Sequence, residues 1–245
     1  MSRPPSSAAN HIKERPRRFY KAAAGAPVEG GFAVQLDGRT AKTPANGKLV
    51  VPTESLARLL AEEWEAQVEL IDAGAMPATR LAFTAIDRTP SHHEAVARQV
   101  AAYAGSDLIC YFAEGPPSLL ARQLEQWGPW LDWAERELGT PFVRCTGVTH
   151  QAQPSESVGR IEVLADELDD FSLSGLAFAA GLLGSAVLAL ALQRGALTGE
   201  DAFALSRLDE AFQVERWGVD EEAAAQVAGR LVEAKMLERW FAALR

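Results

Sequence analysis

Cysteine and histidine are scarce in this chain of 245 residues, which has two of the first and four of the second. Cys110 and Cys145 stand in apolar stretches without the spacing of metal ligands. We therefore expect reduced, packed side chains in a reducing compartment, with a disulfide between them as the open alternative. The histidines are scattered, and a zinc site needs three or four convergent ligands, so the sequence predicts no metal site.

Basic residues are also in the minority, with 24 against 33 acidic residues and a formal net charge of −9. Nucleic-acid binding depends on neutralising phosphates with lysine and arginine, so we expect no nucleic-acid partner. The N-terminus is the exception, because basic residues and prolines dominate there. It has no apolar core of the kind that a secretory signal needs. We expect residues 1–17 to form a disordered basic tail.

Motifs for nucleotide binding and for ester hydrolysis are missing. Gly47 and Lys48 are adjacent, but no glycine precedes them at the spacing of a phosphate-binding loop and no Ser or Thr follows the lysine. No G-x-G-x-x-G follows a predicted strand, and no G-x-S-x-G is present. The sequence therefore predicts neither a cofactor nor a catalytic nucleophile.

Long hydrophobic runs are limited to residues 173–192, an uncharged stretch with about the length of a bilayer-spanning helix. Much of this run is Ala, Gly and Ser, which contribute little transfer free energy, and Arg194 is the only nearby basic residue after it. A helix buried on all sides in a globular domain has the same composition, and we favour that interpretation. Gly181, Gly184 and Ser185 either allow neighbouring helices to approach closely or divide the run into two helices.

The first part of the chain has the hydrophobic period of β-strands. Phe32, Val34 and Leu36 alternate with other residues, and Asp37-Gly38 follows as a hairpin signal. Further turn signals stand at residues 30–31 and 46–47. These patterns predict a small antiparallel sheet.

After Pro52 the hydrophobic period becomes helical. Thr53 is placed to cap a helix whose apolar face includes Leu56, Leu60 and Trp64. Downstream patterns predict further helices to the end of the chain, with short extended pieces at residues 108–112 and 142–148. The predicted fold class is α+β, with a small antiparallel β-rich N-terminal domain, residues 18–52, followed by a larger, mainly α-helical domain, residues 53–245.

Several helix boundaries can be predicted in the second domain. Ser91 and Glu94 have the spacing of a capping box at a helix start. Gly128-Pro129 predicts a break in a helix. One helix is expected over residues 198–217, with Gly218 placed to end it.

Neighbouring carboxylates are the remaining candidates for chemistry. Asp209 and Glu210 are adjacent, and Glu215 and Arg216 lie close by. A small acid–base hydrolase or isomerase that uses Asp209 or Glu210 stays open, because paired carboxylates become specific only in three dimensions. The simpler interpretation is an ordinary helix face, since Arg207 lies three residues before Glu210 and can pair with it.

Short motifs recur in one order over nearly the whole folded part of the chain. They include Arg18-Phe19-Tyr20-Lys21, Gly31-Phe32-x-Val34-x-Leu36-Asp37-Gly38-Arg39, Glu63-Trp64-x-x-Gln67, Met76-Pro77-x-Thr79-Arg80-Leu81, Asp107-Leu108-x-Cys110-Tyr111, Gln123-x-x-x-Trp127-x-Pro129 and Asp209-Glu210-x-x-Gln213-x-x-x-Trp217-Gly218. With this ordered set the chain resembles the assembly chaperones specific for the alpha subunit of F-type ATP synthase.

This resemblance implies a non-enzymatic protein that binds the unassembled alpha subunit and prevents its aggregation until it pairs with the beta subunit. It implies no nucleotide and no metal. Glu210 matches the acidic position of the family's C-terminal motif, so the resemblance implies that it contributes to the partner contact. We expect Asp209, Gln213, Glu215 and Arg216 to surround Glu210 on one helix, and Trp217 to pack beneath that face.

The resemblance also bears on where the protein works. The N-terminal extension is short compared with a mitochondrial presequence, so we expect a protein of the bacterial cytoplasm, or of the mitochondrial matrix if the source is eukaryotic. We also expect it to be a monomer. A membrane-associated assembly factor that uses residues 173–192 is the remaining alternative, although we expect no stable membrane insertion.

Overall fold

The computed structural model of the protein describes residues 15–147, 149–218 and 221–245, of which residues 221–223 are described by their backbone alone. Most of the predicted tail, residues 1–17, therefore lies outside the described residues. Its last residue, Arg17, forms an antiparallel bridge with Leu70.

A small antiparallel sheet lies near the N-terminus, as predicted. Its strands are β1 (Ala23–Val28), β2 (Gly31–Leu36), β3 (Arg39–Thr40) and β4 (Val50–Val51). The strand β2 is central, because it pairs with β1 along one edge and with both β3 and β4 along the other. The turn from β2 to β3 passes through Asp37 and Gly38, both with positive φ, which the Asp-Gly signal predicts.

Ten helices follow in the described part of the chain. They are α1 (Glu54–Glu65), α2 (Pro77–Asp87), α3 (Thr89–Gly105), α4 (Pro117–Trp133), α5 (Ser155–Asp166), α6 (Asp170–Leu183), α7 (Ala186–Gln193), α8 (Gly199–Ser206), α9 (Leu208–Trp217) and α10 (Glu221–Leu244). Short 3₁₀ segments cover Ala73–Ala75 and Leu108–Cys110, and a π-helical turn covers Ala134–Leu138. Two short strands among the helices, β5 (Tyr111–Phe112) and β6 (Cys145–Thr146), pair in parallel. The α+β fold class is confirmed.

The helix α1 connects the sheet to the other helices. Thr53 caps it, since Thr53 Oγ1 accepts a hydrogen bond from the Leu56 N–H over 3.1 Å. Leu56, Leu60 and Trp64 are buried in the same hydrophobic core as β2 and β4, as the helical period predicts. The other side of α1 contacts α10. A division of the chain into two domains after residue 52 stays a prediction.

The apolar run 173–192 forms two helices, α6 and α7. Gly184 ends α6 in the left-handed conformation, and Ser185 Oγ then accepts a hydrogen bond from the Leu188 N–H over 3.0 Å at the start of α7. Most side chains of both helices are buried in the protein core. Among the described residues, no helix combines the length and the apolar character that crossing a membrane requires.

Three predicted helix boundaries were wrong. The helix α3 begins at Thr89 and is kinked at His92, one residue after the predicted start, but Ser91 Oγ donates to the Arg88 carbonyl, so Ser91 and Glu94 form no capping box. The helix α4 continues through Pro129, because burial of Trp127 and Leu131 on either side offsets the hydrogen bond that proline cannot donate. The helix expected over residues 198–217 is interrupted at Arg207, which separates α8 from α9.

The two cysteines are free and buried, as predicted. Cys145 pairs with Tyr111 in the register of β5 and β6, which places it beside the segment that contains Cys110. Burial raises the pKa of the Cys110 thiol well above its ordinary range. The protonated thiol is therefore a packed apolar group with low reactivity.

Candidate partner-binding surface

All five residues predicted to contact a partner lie on α9, and the helix gives them two different environments. Its inner face carries Leu208 and Phe212, which are buried against the rest of the protein. Because a helix repeats every 3.6 residues, residues 210, 213, 214 and 217 form one stripe on the opposite face. We call this stripe the outer face of α9.

Asp209 lies beside the inner face and points toward α4. Its carboxylate accepts a hydrogen bond from Gln123 Nε2 over 2.7 Å. Gln123 is completely buried, and its Oε1 accepts a second hydrogen bond from the Ala113 N–H over 2.7 Å. Partial burial raises the pKa of Asp209 above its ordinary value, although the hydrogen bond from Gln123 acts in the opposite direction. The Asp209 carboxylate thus attaches α9 to the interior of the protein.

Glu215 also binds α4, through a bidentate ion pair. Its two carboxylate oxygens accept hydrogen bonds from Arg122 Nη1 and Nη2 over 2.7 and 2.9 Å. The hydrogen bond from Arg122 lowers the pKa of Glu215 below its ordinary value. Two parallel hydrogen bonds fix the relative orientation of both side chains, which a single contact does not.

Arg216 completes the connection between α9 and α4. Its guanidinium carbon lies 4.4 Å from the centre of the Phe212 ring, and that of Arg122 lies 5.3 Å from the same ring. Arg216 Nη2 also lies 3.3 Å from Ser118 Oγ on α4, to which it donates a hydrogen bond. Three of the five predicted residues, Asp209, Glu215 and Arg216, therefore hold α9 against α4.

Glu210 and Gln213 are the two predicted residues on the outer face. Glu210 accepts a hydrogen bond from Arg207 Nη1 over 2.9 Å, and its side chain is 46% exposed. Gln213 is exposed. The pairing of Arg207 with Glu210 agrees with the spacing of three residues between them. Whether any of the five residues contacts a partner stays a prediction.

Trp217 was expected to pack beneath this surface, and that expectation was wrong. It is 78% exposed and lies at the end of the outer face, where Val214 is also 43% exposed. The physical reason is the register of the helix, because Phe212 fills the inner face and Trp217 stands seven residues after Glu210. The helical spacing of 210, 214 and 217 in the sequence would have indicated this placement.

Asp209 and Glu210 lie outside a large groove between four of the helices. A groove of about 630 Å³ opens between α2, α3, α6 and α10, and its lining includes Arg80, Phe178 and Glu233 but neither Asp209 nor Glu210. Within the described residues, no three His, Cys, Asp or Glu side chains are placed to hold a metal ion. The helix α9 thus presents an exposed face and is attached to α4 through its other side.

Comparisons with known proteins agree on one family. The family model described as ATP12 chaperone protein matches residues 17–135. The crystal structure of Atp12 from Paracoccus denitrificans is 42% identical and superposes with a TM-score of 0.88, covering 94% of this chain and 99% of that one. A chaperone structure from Agrobacterium tumefaciens is 43% identical with a TM-score of 0.89, covering 94% of this chain and 87% of that one. The mitochondrial protein atp12 of Schizosaccharomyces pombe is 29% identical over 219 residues, which are 84% of this chain and 75% of the relative.

Proposed function

Because the chain belongs to the ATP12 chaperone family, whose members assist assembly of ATP synthase, we propose that it binds the unassembled alpha subunit of the F-type enzyme. It prevents that subunit from aggregating until the beta subunit takes its place. The protein acts without catalysis and without a cofactor. Its similarity at 42% and 43% identity to two bacterial proteins supports a place in the bacterial cytoplasm.

The outer face of α9 is the observation that carries this proposal. A subunit that belongs in a ring exposes a large apolar area when it is alone, and such areas drive aggregation. A chaperone must cover that area and later release it, so a partly polar contact of moderate size suits it. The outer face combines exposed Val214 and Trp217 with polar Glu210 and Gln213.

The attachment of α9 to α4 supports the same proposal. Asp209, Glu215 and Arg216 keep the helix in one position before any partner arrives. A surface that is already ordered loses little conformational entropy on binding, which favours affinity from a small contact area. Glu210 lies on the ordered helix with its charge partly balanced by Arg207. It therefore contributes to the orientation and rate of association as well as to affinity.

The arrangement of Asp209 favours a binding role over acid–base chemistry. A catalytic carboxyl must reach a substrate, usually in a concave pocket with other convergent groups. The Asp209 carboxylate instead faces the buried amide of Gln123 on α4. Glu210 lies on the outer face of α9 and is paired with Arg207.

Co-expression with a free alpha subunit tests the proposal. We expect the chaperone to keep the alpha subunit soluble and to co-purify with it, whereas the alpha subunit expressed alone should aggregate. An alpha subunit that aggregates equally with and without the chaperone would exclude the proposed function.

Charge reversal at Glu210 tests the position of the contact. Glu210→Lys should reduce the recovered alpha subunit about tenfold while leaving the circular dichroism spectrum unchanged. Glu94→Lys is the matched control, because Glu94 is also an exposed glutamate paired with an arginine on its own helix, Arg98, over 3.6 Å. Equal recovery by Glu210→Lys and wild type would remove Glu210 from the binding surface.

A further inference from the structure

We propose that Trp217 is the apolar anchor of the partner contact, with its indole inserted into a recess of the unassembled alpha subunit. The inference rests on the proposed function and adds the side chain whose truncation should weaken the contact most. Trp217 is 78% exposed, whereas Trp64, Trp127 and Trp240 are at most 8% exposed and Trp130 and Trp133 are half-buried. Tryptophan buries a large area with few rotatable bonds, so it dominates many protein interfaces.

The outer face of α9 has the pattern of a helix that binds in a groove. Glu210, Val214 and Trp217 are separated by four residues and then by three, so their side chains follow one line over roughly 10 Å. Val214 and Trp217 form the apolar end of this line, and Glu210 forms the acidic end. The matching surface is an apolar groove with a deep recess at one end and a basic group at the other.

The chain also holds Trp217 in place. Gly218 ends α9 immediately after it with a φ of +90°, and its N–H donates a hydrogen bond to the Val214 carbonyl over 2.9 Å. This hydrogen bond closes the last helical turn, the one that carries Trp217. Five residues earlier, the Phe212 ring contacts the guanidinium groups of both Arg122 and Arg216. The indole is therefore displayed on a fixed helix end, which lowers the entropic cost of burying it in a partner.

The alpha subunit is the occupant that fits these features. The proposed function already requires a partner with an exposed apolar surface, and the Trp217 end of the outer face is continuous with Glu210. The chaperone has a net charge of −9, and Glu210 adds its charge at the contact, so the groove should have a basic rim. A subunit surface destined to receive a neighbouring subunit provides such a groove until assembly fills it.

Suppression of aggregation measures the contribution of Trp217. Denatured alpha subunit is diluted into increasing concentrations of chaperone, and the concentration that halves the light scattering is recorded. Truncation of a central aromatic anchor costs about 2 kcal/mol or more, so Trp217→Ala should raise this concentration about thirtyfold. Trp217→Phe should recover part of the loss.

Phe19→Ala is the matched control, because Phe19 is 72% exposed but lies near the sheet instead of on α9. Phe19→Ala should change the chaperone concentration that halves the light scattering by less than threefold. Urea unfolding and circular dichroism must show that both alanine variants fold as the wild type does. If Trp217→Ala is misfolded, Trp217→Gln takes its place as the variant that removes the aromatic ring and keeps a polar, helix-compatible side chain.

Iodide quenching gives a second measurement. Trp217 should account for most of the iodide-accessible tryptophan fluorescence of the free chaperone, and the Trp217→Phe variant identifies that share. Binding of the alpha subunit should protect it from iodide. Continued access of iodide to Trp217 in a purified complex would overturn the inference.

The outcomes separate the two proposals. A wild-type chaperone that does not suppress aggregation contradicts the proposed function itself. A wild type that suppresses aggregation, with Trp217→Ala equally effective, contradicts the anchor alone and leaves the proposed function standing.

Discussion

Gln123 on α4 donates a hydrogen bond from Nε2 to the carboxylate of Asp209 on α9 over 2.7 Å. The oxygen of the same amide accepts from the Ala113 N–H in the segment that follows β5. One completely buried side chain thus joins three parts of the fold. A residue predicted for the surface, Asp209, thereby acquires a structural role that its position in the sequence does not reveal.

Gln123→Leu should therefore weaken the attachment of α9. The variant leaves the Ala113 N–H and the Asp209 carboxylate without their partner, and an unsatisfied buried group costs about 1–3 kcal/mol. We expect the free energy of unfolding to fall by about 2 kcal/mol or more, measured by urea denaturation. Gln126→Leu, at an exposed position of the same helix, controls for the change from glutamine to leucine. Equal midpoints for the two variants would show that the bridge contributes nothing to stability.

The sequence predicts structure well where a local signal decides it. Asp37 and Gly38 form a turn because few residue pairs tolerate positive φ, and Thr53 caps α1 because its hydroxyl reaches a free backbone N–H. Both signals act within a few residues of the chain. Their outcomes match the prediction.

Prediction fails where a distant contact decides. Pro129 signals a helix break, but the neighbouring apolar side chains are buried and α4 continues. The candidate site shows the same limit: helical spacing separates an inner from an outer face, but the contacts of Asp209, Glu215 and Arg216 with α4 come from residues about 86 to 98 positions away in the chain. The bridge from Gln123 to Asp209 spans 86 residues and has no local signal.

Asp107 should make the stability of the protein depend on pH. It is completely buried, and its carboxylate accepts hydrogen bonds from the N–H groups of Ile109 and Val187 over 3.3 and 3.0 Å. Burial raises its pKa from the ordinary value of 3.8 to about 6. Between these two values the folded chain binds a proton that the unfolded chain does not, so this group adds stability as pH falls.

Comparison of wild type with Asp107→Asn isolates this effect. The stability of the wild type relative to the variant should increase by about 2 kcal/mol between pH 7 and pH 4, since each pKa unit corresponds to about 1.4 kcal/mol and the unfolded carboxyl is itself partly protonated at pH 4. Urea denaturation at both pH values measures it. Glu125→Gln, at an exposed position of α4, controls for the loss of one formal charge. A constant difference between wild type and Asp107→Asn across this range would contradict the raised pKa.

Truncation of Trp64 should destabilise the fold strongly, whereas truncation of Trp217 should leave its stability almost unchanged. Trp64 is 8% exposed and packs edge-on against the Tyr20 ring, whose hydroxyl donates to the Trp64 carbonyl over 2.7 Å. Trp64→Ala should lower the free energy of unfolding by about 3–5 kcal/mol. Trp217→Ala should change it by less than about 1 kcal/mol, because the side chain is mostly exposed. An unaltered melting curve for Trp64→Ala would show that Trp64 is not part of the core.

Two glycines should respond in opposite directions when each is replaced by alanine. At Gly199, at the start of α8, an added Cβ would overlap the Ala234 carbonyl group, with the carbonyl carbon only 2.6 Å away. That atom belongs to the backbone of α10 and has little freedom to move, so Gly199→Ala must push the two helices apart. Overpacking of this kind costs about 1–3 kcal/mol.

Gly159 on α5 is the matched control, since its added Cβ would meet nothing within 4 Å. Gly159→Ala should raise the free energy of unfolding by about 0.5–1 kcal/mol, because alanine loses less backbone entropy than glycine when a helix forms. Urea denaturation of the two variants beside the wild type measures whether each substitution raises or lowers the free energy of unfolding. If Gly199→Ala also stabilised the protein, α8 and α10 would have to be farther apart than their contact at Gly199 implies.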